Sequence, residues 1–404
     1  MCDAELTAPF ADLGLSPVAN DLVAPDHLHQ GERYYPLAAK VCQACWLVQL
    51  DCSLPADAIF TDQYPYFSSF SSSWLRHAEH YATAIRDRLD LGETAFVVEV
   101  ASNDGYLLQY FRQRGIRVLG VDPSASVAEA AIRQRGVPTV TEFFGRDVAA
   151  RLRREHGPAD LMVANNVLAH VPDPVDFLSG FARLLADDGV ATFEFPHLLS
   201  LMGQGQFDTI YHEHIFYLSV TGLARALSLA GLRAFDVERL PTHGGSLRLY
   251  VCLAQAPTAP SAALTALIGE EAAAGLARVS TYVDFNRQVQ EKKRRILSFL
   301  IERKNEGKTI VGYGAPAKGN TLLNFCGIGR DMLDYTVDLN PHKQGRFLPG
   351  TRLEVFHPDK IRETRPDLIL VLPWNIADEI MGALSDVRAW GGRFIIPIPE
   401  IGLH

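Results

Sequence analysis

The sequence predicts an α/β protein: two Rossmann-like parallel sheets behind a small, loop-rich N-terminal unit. Three observations predict it. Short β-branched runs alternate with helical stretches between residues 96 and 195, and the same alternation resumes at Thr309. Ahead of both, Pro9, Pro17, Pro25, Pro36 and Pro55 break any long periodic segment.

The 404 residues, 48% of them hydrophobic, exceed what one core normally holds, so two or three domains are expected. Residues 1–62 carry too little apolar material for a core of their own and need a metal staple or a neighbouring domain. The central unit, 63–256, reads as strand 96–100, helix 106–114, strand 117–121, helix 126–135, strand 161–164, helix 174–186 and strand 190–195. Such βαβ repeats give a parallel sheet covered on both faces. The C-terminal unit, 257–404, opens with long helices whose apolar face carries Val289, Ile296, Phe299 and Leu300. Strands then follow at 309–313, 335–338, 368–372 and 393–396, so two ligands are expected, each at the C-terminal edge of a sheet.

Charge and hydropathy exclude two classes of partner. Lys and Arg number 38 against 47 Asp and Glu, a net charge of −9, which argues against binding a phosphate backbone. No run reaches the roughly 18 to 20 apolar residues of a membrane span, and Met1-Cys2-Asp3-Ala4-Glu5 lacks the basic and apolar regions of a leader. A cytoplasmic protein, monomeric or weakly dimeric, is expected.

Four of the six cysteines, Cys2, Cys42, Cys45 and Cys52, lie in the first 52 residues. Two cysteines three apart on a tight turn can reach one tetrahedral Zn²⁺, and thiolates suit that ion. Cys42 and Cys45 with Cys2 as third ligand therefore read as a structural zinc site rather than a redox pair, with Cys52, His27 and His29 as candidates for the fourth position. Cys252 and Cys326 sit in apolar runs and read as core residues.

The turn after the first central strand, Glu99-Val100-Ala101-Ser102-Asn103-Asp104-Gly105, contains one glycine and does not match G-x-G-x-x-G. A dinucleotide is disfavoured there. S-adenosylmethionine has no phosphate, and the small residues Ala101 and Ser102 leave room for its amino-acid end. Asp122, followed by Pro123, closes the next strand, where its carboxylate can accept both ribose hydroxyls. Asn165 and Asn166 end the fourth strand on the same edge. Glu99, Ala101, Ser102, Asn103, Gly105, Asp122, Pro123, Asn165 and Asn166 are the expected donor-binding residues.

At these residues the chain resembles the sugar C-methyltransferases that act on nucleotide-linked 4-ketohexoses in deoxysugar biosynthesis. The resemblance spans essentially the whole chain. It rests on Asp12-Leu13-Gly14 with Pro17, Cys42-x-x-Cys45 before Leu47-Val48-Gln49-Leu50, and Tyr64-Pro65-Tyr66-x-Ser68-Ser69. Further on it rests on Tyr211-His212-Glu213-His214, His243-Gly244-Gly245, Gly312-Tyr313-Gly314-Ala315-x-Ala317-Lys318, Asn324-Phe325-Cys326-Gly327-Ile328-Gly329 and Trp374-Asn375. It implies a zinc-binding N-terminal module, a central S-adenosylmethionine domain and a C-terminal Rossmann-like domain that helps to hold the sugar nucleotide. The family carries two C-x-x-C pairs, whereas here only Cys2 stands near the first; either its partner precedes Met1 or the fourth ligand differs.

The reaction implied by the family is proton abstraction beside a ketone, followed by methylation of the enolate carbon, C3 of a dTDP-4-ketosugar. His214 is the expected base, Glu213 an orienting or hydroxyl-binding group, and Tyr211, His170 and Tyr66 the candidate donors to the enolate oxygen. Read as a strand, the Tyr211 motif puts His212 and His214 on one face, which raises metal binding as an alternative. His212 and His197 read as structural histidines. His243, Arg248, Tyr313, Lys318, Asn320, Trp374 and Asn375 are candidates for the sugar nucleotide, although His243, taken alone, reads as structural like His212 and His197, and Arg248 suits a carboxylate as well as a diphosphate. Two rival functions remain: an NAD(P)-dependent oxidoreductase using the C-terminal sheet, and a non-catalytic nucleotide-sugar-binding protein.

Overall fold

The computed structural model describes residues 2, 4–52, 54 and 68–404. Three sheets organise the chain. In the first, Ala8–Ser16, Tyr35–Val41 and Val48–Leu50 run antiparallel, and a fourth strand, Phe216–Tyr217, joins from far along the sequence. The turn before Val48 is tight: the Trp46 N–H donates to the Cys42 carbonyl (2.8 Å) and the Cys42 N–H to the Leu47 carbonyl (2.9 Å). That closure brings Cys42 and Cys45 together.

The N-terminal sheet owns no separate core. Phe10 stacks on Phe285 of the long helix Val279–Asn305, with ring centroids 4.6 Å apart, and is buried with the C-terminal sheet. Cys42, Cys45 and Leu47 pack instead into the central core. Apolar residues too few to bury one another are thus buried against two neighbours.

The central sheet has seven strands in the order Leu232–Leu240, Ser246–Leu253, Leu185–Pro196, Ala159–Asn165, Phe96–Val100, Arg117–Val121, Thr139–Val140. From Leu185–Pro196 to Thr139–Val140 the pairing is parallel, and the order reverses between Phe96–Val100 and Ala159–Asn165. Ligands of open α/β sheets bind at that switch point. Phe96–Val100 is buried at every position, as a strand covered on both faces requires. Two boundaries differ from expectation. The helix at 106–114 contracts to Leu108–Arg112, and residues 185–186 leave the preceding helix to begin the strand Leu185–Pro196.

The C-terminal sheet runs Val355–Phe356, Thr336–Val337, Ile310–Tyr313, Leu368–Val371, Arg393–Ile396, Gly402–Leu403, all parallel except the last pair. The linker folds as two helices, Ala262–Ala273 and Val279–Asn305. Among the described residues no helix is long and apolar enough to cross a membrane.

Candidate active site

The C-terminal edges of the two parallel sheets face each other. The turn at 242–244, between the antiparallel strands of the central sheet, meets Trp374, which follows Leu368–Val371. Gly244 has φ +85, and a Cβ there would lie 2.7 Å from the Trp374 ring, so only glycine lets the two edges approach this closely. The Gln206 side-chain amide donates to the Gly244 carbonyl (2.7 Å) and the Trp374 indole donates to Asp208 Oδ2 (2.7 Å).

At the edge of the central sheet the loop after Phe96–Val100 is held by Asp122. Its Oδ2 accepts the Asn103 N–H and its Oδ1 the Ser124 N–H, each at 2.9 Å. Ala101, Asn103 and Asn166 all have left-handed φ, between 49° and 56°. Such conformations cost roughly 1 kcal/mol each without glycine, and strain of this kind gathers at ligand sites. Buried oxygens with no partner among the described residues surround the loop, including Asp104 Oδ1, Asn165 Oδ1 and Asn166 Oδ1, while burial pushes the Glu99 carboxyl well above the usual range. A cationic ligand rich in hydrogen-bond donors fits this set. Ser68 and Ser69 close over it, the Ser68 N–H donating to Asn103 Oδ1 (2.9 Å) and the Ser69 hydroxyl to Asp104.

Ser102 behaves differently from its expected role. Its hydroxyl is fully buried against Gly120, where any Cβ would lie 2.3 Å from Ser102 Oγ, so its side chain faces the sheet and only its backbone can line the loop. Pro123 is exposed beyond Asp122. Gly105, at φ +77, packs on Val137 and Ala131.

Between the two edges lies the Tyr211 motif, a turn and not a strand. His214 Nδ1 bonds the Thr209 carbonyl (2.9 Å), so that nitrogen carries the proton and Nε2 is an acceptor. The Tyr211 hydroxyl donates to that Nε2 at 2.8 Å. His170 Nδ1 likewise bonds the Glu213 carbonyl (2.6 Å), and its ring meets that of His214 edge-on at 4.8 Å. Burial, then the neighbouring His170 and His243, hold His214 well below the usual imidazole value, and burial lowers His170. Both rings are neutral. His212 turns away, its Nε2 donating to the Pro36 carbonyl (3.2 Å), so the shared face expected for His212 and His214 does not form. Glu213 is buried; its side chain accepts from the Asn20 side-chain amide (2.6 Å), and its backbone carbonyl takes His170 Nδ1. Tyr66 lies outside the described residues.

At the edge of the C-terminal sheet, Lys318 bonds the Asn375 side-chain oxygen and sits 4.4 Å from the Trp374 ring centre. Burial lowers its amine to about 8, opposed by Asp208, and burial raises Asp208 to about 6. His243 faces the cleft, its Nε2 accepting from the Asn166 amide (3.3 Å). Crowding and the Lys318 cation hold its imidazole at about 4. Tyr313 and Asn320 are buried beneath this surface, and Asn320 donates to the Ala19 carbonyl (2.5 Å). Gly314 needs no pyrophosphate to explain it, because a Cβ there would meet Pro373 at 2.6 Å.

Arg248 meets carboxylates, not the cleft: its guanidinium bonds Glu194 Oε2 and Glu238 Oε2, each at 2.8 Å, and covers Tyr81. Glu194 also takes His77 (2.8 Å) and the Thr242 hydroxyl (3.1 Å). Burial alone would raise its carboxyl, but the bonds from His77 and Arg248 hold it below the usual range. The network ties the helix Ser72–Leu89 to the turn that carries His243. His197 is structural as expected, paired at 2.9 Å with buried Glu271.

At the far end of the N-terminal sheet, the Cys2 sulfur lies 3.4 Å from Cys42 and 3.6 Å from Cys45, and no disulfide joins them. Sulfurs on one tetrahedral Zn²⁺ are spaced about 3.8 Å apart, so the trio fits the ion. Cys52, His27 and His29 do not join this cluster.

The comparisons with known proteins divide along the same lines. Residues 1–60 match the family described as "Putative zinc binding domain", 74–237 "Methyltransferase domain" and 241–399 "C-methyltransferase C-terminal domain". C-methyltransferase NovU of Streptomyces niveus is 36% identical over 400 residues, 99% of this chain and 95% of that one. The chain belongs to this C-methyltransferase family. The methyltransferase part alone is similar to a ubiquinone biosynthesis O-methyltransferase of Ralstonia nicotianae, 27% identical over 41% of this chain and 77% of that one. The magnesium protoporphyrin IX methyltransferase of Synechocystis, solved with S-adenosylhomocysteine, is 17% identical over 44% of this chain and 81% of its own, with a TM-score of 0.35. The family models and the cysteine cluster make the chain a methyltransferase that uses S-adenosylmethionine and has an N-terminal zinc-binding module. Asp208, Gln206, Asn20, His77 and Glu194 support the cleft without having been expected there. Their residue types are ordinary, and no motif around them signals a role.

Proposed function

We propose that the enzyme transfers the methyl group of S-adenosylmethionine to C3, beside the ketone, of a dTDP-linked 4-keto-deoxysugar through a base-generated enolate. The observation that carries this reading is the hydrogen-bonded Tyr211–His214 couple standing between the donor loop and the Lys318 side of the cleft. Family membership with a C-methyltransferase supports transfer to carbon, and a ketone makes the adjacent carbon nucleophilic once its proton is gone.

Neutral His214 accepts the phenolic proton at Nε2 as the Tyr211 oxygen takes the C3 hydrogen; the C–H electron pair becomes the enolate. Bound S-adenosylmethionine supplies the electrophilic methyl. Asp122 and the Asn103 loop hold the donor, Lys318 meets the diphosphate, and the His170–Glu213 bond fixes the far wall. Incubation with dTDP-4-ketosugars and ¹³C-methyl donor, followed by NMR, tests the reading: a new C–CH₃ resonance at C3 supports it, and an O-methyl resonance or no transfer refutes it.

A further inference from the structure

One buried carboxylate is not used by the chemistry above. Asp208 is fully buried in the segment that leads into the Tyr211 motif, and its Oδ2 holds the Trp374 indole while Oδ1 has no hydrogen-bond partner among the described residues. Its neighbours in sequence each grip a different part of the site. Gln206 bonds the Gly244 carbonyl, the Thr209 carbonyl takes His214 Nδ1, and the Ile210 carbonyl takes the Thr321 hydroxyl (3.1 Å) from the helix Ala317–Cys326 that carries Lys318.

Trp374 is therefore clamped between Asp208 and Gly244, and its ring carries the Lys318 ammonium. An ammonium crowded by protein favours losing its proton, because burial penalises the charged form. Asp208 is the carboxylate that opposes this, and Asn375, a neutral amide, makes the direct contact.

We propose that Asp208 is a positioning residue that makes the cleft select diphosphate-bearing substrates: it fixes Trp374 beneath Lys318 and sets a carboxylate behind that ammonium, which is thereby held where the anion arrives. This rests on the reading of Lys318 as the diphosphate contact. A nucleoside or free sugar gains nothing from such a cation, whereas a diphosphate gains a charge-assisted bond in a site of low polarity. Asp208 itself touches no substrate.

The test uses the full chain and calorimetry with thymidine diphosphate, thymidine and S-adenosylhomocysteine at neutral pH, beside steady-state kinetics. Asp208→Asn keeps the shape and the acceptor for Trp374 but removes the charge. It should weaken thymidine diphosphate about tenfold, leave thymidine and S-adenosylhomocysteine within about twofold, and raise KM for the sugar nucleotide with kcat nearly kept. Trp374→Phe, which removes only the indole donor and ring size, should weaken the same probe severalfold and serves if Asp208→Asn folds poorly. Equal losses for all three probes mean a merely structural role and overturn the proposal. Unchanged diphosphate binding in Asp208→Asn beside weakened binding in Lys318→Ala overturns the proposal while sparing the diphosphate reading. Unchanged binding in Lys318→Ala removes both.

Discussion

The Tyr211 hydroxyl donates to His214 Nε2 across 2.8 Å, while His214 Nδ1 is fixed on the Thr209 carbonyl. The lone pair of the expected base is thus already directed at a phenol, and the phenol proton is engaged by that imidazole. Tyr211 and His214 act as one unit. Tyr211→Phe should lower kcat by about a hundredfold or more, as loss of a positioned proton-transfer group does, with donor affinity unchanged. Near-normal turnover would show that His214 reaches the substrate without the phenol.

Asp122 closes two backbone bonds of the donor loop, one to Asn103 and one to Ser124. Asp122→Ala therefore loosens the loop and, on the proposed reading, loses the ribose acceptor. Calorimetry should show donor affinity down by about ten- to a hundredfold, the equivalent of roughly 1.5 to 3 kcal/mol.

The cysteine cluster bears on chemistry more directly than a remote staple would. The N-terminal unit supplies Asn20 to Glu213 and the Pro36 carbonyl to His212, both within the Tyr211–His214 segment of the proposed site. Metal analysis should find one Zn²⁺ per chain, and Cys42→Ser should lose it. Thermal unfolding of that variant should begin at lower temperature, and kcat should fall with it. Zinc-free protein of full activity would contradict this.

Gly244→Ala places a methyl against Trp374 and Gln206 at a backbone angle that suits glycine. The strain costs about 1 to 2 kcal/mol. It should appear as a raised KM for the sugar nucleotide, because the displaced ring is the one beneath Lys318.

The pH dependence of sugar-nucleotide binding follows from one group. Lys318, lowered by burial to about 8, loses its charge as pH rises through that value, so affinity falls above it. Asp208, raised by burial to about 6, takes up its proton only where Lys318 is already charged, so it adds no acid limb. His243, at about 4, stays neutral around neutral pH. A 1/KM profile measured with the diphosphate diester should therefore be flat from about pH 6 and fall as Lys318 loses its proton, and Lys318→Arg should flatten the alkaline limb because the guanidinium stays protonated. A profile with no alkaline limb in the wild type would remove Lys318 from the anion site.

Local pattern carried much of the fold. The β-branched run 96–100 became a wholly buried central strand, and Asp122 stands where the strand end placed it. What depended on distant pairing was not legible. Phe216–Tyr217 completes the N-terminal sheet, and Trp374 reaches Asp208 across 166 positions, a contact with no periodicity to announce it. Side-chain direction inside a turn was equally hidden: Ser102 faces Gly120 and His212 faces Pro36 because packing, not spacing, decided it. Arg248 met Glu194 since a buried guanidinium needs a carboxylate partner, and that partner lies on the neighbouring strand.

The most direct test of the Tyr211–His214 couple is hydrogen exchange without methyl transfer. The protein is incubated in D₂O with a dTDP-4-ketosugar and S-adenosylhomocysteine, and the C3 hydrogen is followed by proton NMR. Wild-type protein should replace it with deuterium, while His214→Asn and Tyr211→Phe should bind both ligands and leave it in place. Exchange at the wild-type rate in His214→Asn would contradict the account.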